Sequence, residues 1–187
     1  MIDCFSVKKA FIFALWKIKG WINLFFYYFC EQDLLPPMEK KRIVFIVNPI
    51  SGTQNKQYIL KLLPEVLNQS LFEWHVAETE YAGHATLLAK NYAAEHYDAI
   101  IAIGGDGTVN EVARSLVHTE ATLGIIPCGS GNGLARHLHI PMDPRGAINV
   151  INRFAIQAVD YGKINDIPFF CTCGVGFDAF VSSKFAT

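Results

Sequence analysis

The chain has 187 residues, 51% of them hydrophobic and 18% charged, with Lys+Arg 16 against Asp+Glu 17. That length gives one domain or one and a half, and the apolar fraction suffices to bury a core, which excludes a disordered chain. A formal net charge of −1 offers no basic surface for nucleic acid. The cysteines, Cys4, Cys30, Cys128, Cys171 and Cys173, are odd in number and lack zinc spacing. Reduced thiols of a cytoplasmic protein are therefore expected.

Residues 1–37 differ from the rest. The run "AFIFALWKIKGWINLFFYYFC" (10 to 30) is almost wholly apolar. On an insertion scale its Leu, Ile and Phe residues would contribute about −3 to −6 kcal/mol, but Lys17 and Lys19 would cost roughly 2.5–3.5 kcal/mol each and cancel that gain. The two lysines lie about 200° apart on a helix and define no single polar face. No small-residue cleavage site follows, so a signal peptide fits poorly. Met38 opens "MEKKRIVFIVNP", which reads as a natural domain start. Residues 1–37 are expected outside the core fold, as an over-extended gene start or a membrane-contacting extension.

From Arg42 the pattern is regular. "RIVFIVN" (42–48) is a continuous β-branched run, as in a strand buried on both faces, and "NPISGTQN" follows as a loop. "KQYILKLLPEVLNQ" (56–69) has helical spacing, with Pro64 expected to kink it or start a second piece. "LFEWHVAET" alternates like a strand, and "HATLLAKNYAAEH" (84–96) is a helix behind Gly83. "DAIIAI" (98–103) and "ATLGIIP" (121–127) are further strands, flanking the helix "TVNEVARSLVH" (108–118). "CGSGNGLARHL" is a glycine-rich loop entering a short helix, and "RGAINVINRF" is another helix. "AIQAVDYGKIN" and "IPFFCTCGVGF" read as strands joined at "NDIP". The alternation predicts an α/β fold, a parallel sheet flanked by helices over 38–152, followed from 153 to 187 by the truncated beginning of a β-rich second domain. Ligands of such sheets bind beyond the carboxyl ends of the strands, where the loops 48–52, 104–108 and 129–133 all fall.

The turn "GGDGT" carries the most chemistry. Gly104, Gly105 and Gly107 allow close backbone approach, and the amides around Gly107 and Thr108 open a helix whose N-terminus attracts anions. Asp106 supplies a hard carboxylate for Mg²⁺ or for a hydroxyl being activated. The plainer alternative is a tight strand-to-helix turn with Asp106 as a cap, which a single glycine would satisfy. Other phosphate motifs fail. Gly129 and Gly131 would need a glycine where Leu134 stands for a dinucleotide fingerprint, and no G-x-x-x-x-G-K-[ST] exists.

Taken in order, "NPISG" (48–52), "ETEYAGHA" (78–85), "GGDGTVNEV" (104–112), "IPCGSGNGLAR" (126–136) and "GVGFDA" (174–179) resemble the diacylglycerol kinase catalytic-domain family, which includes diacylglycerol, sphingosine and ceramide kinases and bacterial lipid-kinase relatives. The resemblance covers about Arg42 to Ala179. It implies transfer of the γ-phosphoryl of ATP to a lipid hydroxyl with Mg²⁺, in a cleft between an α/β domain and a β-sandwich domain. It further implies that Asn48, Pro49, Ser51 and Gly52 line the nucleotide and that Thr79 contacts it. Gly104, Gly105, Gly107, Thr108, Asn110 and Glu111 would cradle the phosphates, and Ser130, Gly131 and Asn132 would add polar contacts. Asp106 would act as base or through Mg²⁺, and Asp178 would approach the lipid head group.

Local readings remain open beside these. Thr79 could simply end a strand, Asn110 and Glu111 could be dipole-favouring first-turn residues, and Asp178 could be a helix cap. His84 reads as a helix N-terminal residue, and His137 and His139 lack the partners of a metal site. The third loop, "GSGNGLA", leans towards sphingosine or ceramide kinases. Expected partners are ATP and a lipid acceptor, with peripheral contact at a membrane surface and a homodimer as a possible assembly. The alternatives are a truncated nucleotide-binding module without catalysis and an NAD-kinase-like enzyme that shares GGDGT.

Overall fold

The computed structural model describes residues 39–50, 55–170, 176, 180, 181 and 184. The expectations for residues 1–37, for Ser51 and Gly52, and for Asp178 fall outside the described residues. Four strands, β1 (Lys41–Val47), β2 (Phe72–Glu78), β3 (Ala99–Gly104) and β4 (Thr122–Pro127), form one parallel sheet in the order β2-β1-β3-β4. The helices are α1 (Lys56–Val66), α2 (His84–Ala94), α3 (Asp106–Leu116), α4 (Gly133–His137) and α5 (Pro144–Arg153). A two-stranded antiparallel hairpin follows, β5 (Gly162–Ile164) and β6 (Ile167–Phe169).

Period-2 alternation sorts the strand side chains into two cores. Ile43, Phe45, Val47, Ile101 and Ile103 face Ile59, Leu62 and Leu63 of α1 and Ala147, Ile148 and Ile151 of α5. Val44, Ile46, Ile100 and Ala102 face Ala85 and Ala89 of α2, Val109, Val112 and Leu116 of α3, and Leu134 and Ala135 of α4. Burial on both faces explains why β1 and β3 read as unbroken apolar runs.

Local chemistry sets the helix starts. Asn55 caps α1 by accepting from the amides of Gln57 and Tyr58, and Asp143 caps α5, with Pro144 as its first residue, by accepting from Gly146. Gly83, at φ +86°, precedes α2 in the left-handed conformation that glycine tolerates best.

Two expectations need correction. Pro64 does not divide its helix: α1 runs through it and ends two residues later at Val66, so the proline takes one donor out of the ladder just where the helix stops. The segment 155–161 is not a strand, and the hairpin is confined to β5 and β6. Residues 155–160 are solvent-exposed and pair with no strand among the described residues, so their apolar residues have no sheet face to serve.

Candidate functional site

In the order β2-β1-β3-β4 the connection after β1 leads to one side of the sheet and that after β3 to the other. The loops therefore diverge at the carboxyl ends of β1 and β3, leaving a crevice. A cavity of about 240 Å³ lies there, walled by Asn48, Pro49 and Ile50 after β1, Thr79 to Ala82 after β2, and Gly105, Gly107, Thr108 and Glu111 at α3. Its frame is held by hydrogen bonds between these loops. The Thr79 amide donates to the Val47 carbonyl at 2.8 Å, and the Asn48 amide donates to the Ile103 carbonyl at 3.2 Å. Asn48 Nδ2 donates to Thr108 Oγ1 at 3.3 Å, and Asn48 Oδ1 accepts from the Ile50 amide at 3.2 Å. Glu111 Oε1 accepts from the Gly83 amide at 3.2 Å, joining the entry of α2 to the middle of α3. Thr79 and Thr108 are the buried polar side chains of this wall.

The glycines of the two rich loops serve different ends. A Cβ on Gly104 would lie 2.5 Å from Thr108 Oγ1, one on Gly129 2.9 Å from Gly105 Cα, and one on Gly131 2.6 Å from Asp106 Oδ2. Close packing thus accounts for all three, within the turn itself at Gly104 and of one loop on the other at Gly129 and Gly131. Gly107 is the exception: a Cβ there would meet nothing within 4 Å. It is exposed, helical, and lines the cavity, although glycine inside a helix costs roughly 0.5–1 kcal/mol relative to alanine.

Asp106 is the first residue of α3, yet it caps a different helix. Its Oδ2 accepts from the Asn132 amide at 2.8 Å and its Oδ1 from the Gly133 amide at 2.7 Å, at the entry of α4. The turn in which Asp106 caps its own helix is not what forms; the carboxylate caps α4 across space instead. α3 itself begins behind Gly105, which has no side chain to offer its first-turn amides. Gly105, Gly107 and Thr108 of this entry line the cavity, while at the α4 entry the amides of Asn132 and Gly133 are paired with a carboxylate.

Asn132 is buried at φ +54° and bonds within its own loop: Oδ1 accepts from the Gly129 amide at 2.9 Å, and Nδ2 donates to the Gly129 carbonyl at 2.6 Å. It shapes the loop, with its amide group turned away from the first cavity. Ser130 is exposed and does not line that cavity, and Gly131 faces Asp106. Just before this loop, burial pushes the Cys128 thiol up from its ordinary value, partly offset by the positive charge of Lys56.

A second cavity, of about 520 Å³, opens on the other side of Gly107. Asp106, Asn110 and Arg114, four residues apart along α3, form one wall, and Ile164, Ile167, Phe169 and Phe170 of the hairpin form the other. Arg114 Nε donates to the Pro168 carbonyl at 2.8 Å and fastens the hairpin to α3. Asn110 thus faces the second cavity and Glu111 the first. Glu80, Tyr81 and Arg114 were missed in the sequence. Glu80 and Tyr81 sit inside "ETEYAGHA", and the helical spacing of Arg114 from Asp106 was the available signal. His84 begins α2, as expected, and no cluster of three His, Cys, Asp or Glu side chains fit to hold a metal occurs among the described residues.

Fold and site together define an α/β domain whose switch-point cavity presents open helix amides between three loops. A family model, the diacylglycerol kinase catalytic domain, matches residues 42–164. The chain belongs to that family. It is 40% identical over 135 residues to a diacylglycerol kinase of Staphylococcus saprophyticus, covering 70% of this chain and 43% of the relative. A diacylglycerol kinase of Staphylococcus aureus gives the same identity, with 42% of the relative covered. A crystal structure of a diacylglycerol kinase from Bacillus anthracis superposes with a TM-score of 0.62 at 30% identity, over 71% of this chain and 49% of that one. The chain therefore spans less than half the length of these relatives.

Among the described residues no helix is long and apolar enough to cross a membrane.

Proposed function

We propose that this chain is the nucleotide-binding part of a lipid kinase that transfers the γ-phosphoryl of ATP to a lipid hydroxyl, with diacylglycerol as acceptor. The observation that carries the reading is Gly107, the wall shared by the polar switch-point cavity and the apolar-sided second cavity. A nucleotide in the first cavity would lay its phosphates against the open amides of Gly107 and Thr108, where a helix N-terminus favours anions. A hydroxyl in the second cavity would meet Asp106, with its apolar chains against Ile164, Ile167, Phe169 and Phe170. The hydroxyl oxygen attacks the γ-phosphorus, the bond to the β-phosphate oxygen breaks, ADP leaves, and the hydroxyl proton passes to Asp106. Such transfer depends mainly on positioning and charge neutralisation.

The donor set also fits a divalent cation. The first cavity is lined by the carboxylates Glu80 and Glu111 and by no Lys or Arg among the described residues, so a polyphosphate needs its own counter-charge. Mg²⁺ brought in with the phosphates would supply that charge, and Asp106, which lines the neighbouring cavity across Gly107, would be the carboxylate that contacts it. Each Asp106 oxygen already accepts one backbone amide, which fixes its direction and leaves a lone pair on each.

The test is transfer of labelled phosphate from ATP to diacylglycerol, sphingosine, ceramide or NAD by the whole protein and its Asp106→Asn variant. Labelled phosphatidic acid is expected, with a loss of about 10²–10⁴-fold in the variant. Labelled sphingosine or ceramide would restore the acceptor suggested by the third loop. Labelled NAD, or full activity in the variant, would contradict the reading.

A further inference from the structure

We propose that Tyr81, braced by His84, is the platform on which the base of a purine nucleoside triphosphate stacks. The inference rests on the nucleotide reading of the first cavity and adds the ligand's direction within it. Tyr81 lines that cavity yet leaves 58% of its surface exposed. Its ring lies parallel to that of His84, with centroids 4.5 Å apart and planes within 4°. His84 is fixed in turn, because its Nδ1 accepts from the Glu80 amide at 3.1 Å. A stacked pair with one tyrosine face left open in a cavity is a preformed half of a ring sandwich.

The cavity's charge gives the direction. Glu80 lies on the β2 side and Glu111 lies beside Gly83, where Oε1 is held by that amide. Phosphates would be repelled there, whereas ribose hydroxyls can donate to carboxylates. The unpaired helix amides are at the β3 side, around Gly107. The β2 and β3 ends flank β1, so they stand two strand spacings apart, about 10 Å. That distance suits a nucleotide lying along the sheet edge, with base on Tyr81, ribose over Asn48 and Glu111, and phosphates at α3. Stacking favours the larger ring surface of a purine over a pyrimidine and tolerates either purine.

Binding of the Mg²⁺ complexes of ATP, GTP, CTP and inorganic tripolyphosphate to the full chain and to Tyr81→Ala and Tyr81→Phe variants tests this. Because Tyr81 is exposed, circular dichroism and melting should match the parent in both variants. The platform predicts that Tyr81→Ala weakens ATP and GTP by about 5- to 100-fold and abolishes their advantage over CTP. Tripolyphosphate should change by less than about twofold, and Tyr81→Phe should retain ATP affinity. An equal loss for ATP and tripolyphosphate, or no loss for ATP, would overturn the platform while leaving the phosphate site standing. If the parent bound neither ATP nor tripolyphosphate, the nucleotide reading would fall and the platform with it.

Discussion

Two helix entries a few ångströms apart in this molecule are treated in opposite ways. At α4 the amides of Asn132 and Gly133 are each taken by an oxygen of Asp106. At α3 the residue before the helix is Gly105, which offers no cap, and Gly107 and Thr108 of the first turn line a cavity. The filled entry shows that an anion settles on such amides at ordinary hydrogen-bond distances. The open one is framed by three separate loops, and an apolar side chain could have closed it. The difference separates glycines that serve packing from the one that serves access.

That contrast can be broken most severely at Gly104. A Cβ there collides with the buried Thr108, so Gly104→Ala is expected to destabilise by about 3 kcal/mol, the upper end of the usual overpacking range, in urea unfolding. Asp106→Ala is next. It leaves two amides at the α4 entry without their charged acceptor and should cost about 2 kcal/mol, moderated because Asp106 is exposed. Gly107→Ala should act with the opposite sign, stabilising the fold by about 0.5–1 kcal/mol while weakening MgATP binding, since its new methyl enters only the cavity. A destabilised Gly107→Ala protein would show that this glycine also serves packing.

The smallest effect concerns Cys128, whose thiol burial raises above the ordinary value. Because the folded form holds its proton more tightly, the associated stability is complete below the unfolded thiol's pKa and is lost as pH rises through the folded one. Peptide mapping after maleimide labelling at pH 8 should find Cys128 reacting far more slowly in the folded protein than in urea. Asp106→Ala, by loosening the adjoining loop, should speed it.

Much of this architecture is legible in the residues. The unbroken runs at Ile43–Val47 and Ala99–Ile103 announced strands buried on both faces, and Gly83 marked a helix entry, whereas the helix expected from Thr108 begins two residues earlier at Asp106. What sequence could not show was which partner each loop residue chooses across space. "GGDGT" suggested a phosphate cradle or a capped turn, but not that Asp106 caps a helix 27 residues further along the chain. Asn132 looked like a ligand contact, whereas its side chain is turned to Gly129, because a left-handed residue in a tight loop needs local hydrogen bonds. The strand-like composition of 155–161 misled for a related reason, as it does not reveal whether a neighbouring strand is present. Tyr81 gave no periodic signal at all; its meaning comes from the cavity and from His84.

The most direct measurement is a titration of MgATP into the ¹⁵N-labelled protein, following backbone amide shifts. Saturable shifts at Gly105, Gly107 and Thr108, with the Gly133 amide held in place by Asp106, are the predicted result. Shifts centred on Asn132 and Gly133, or none at Gly107, would contradict the assignment of the open α3 entry as the phosphate site.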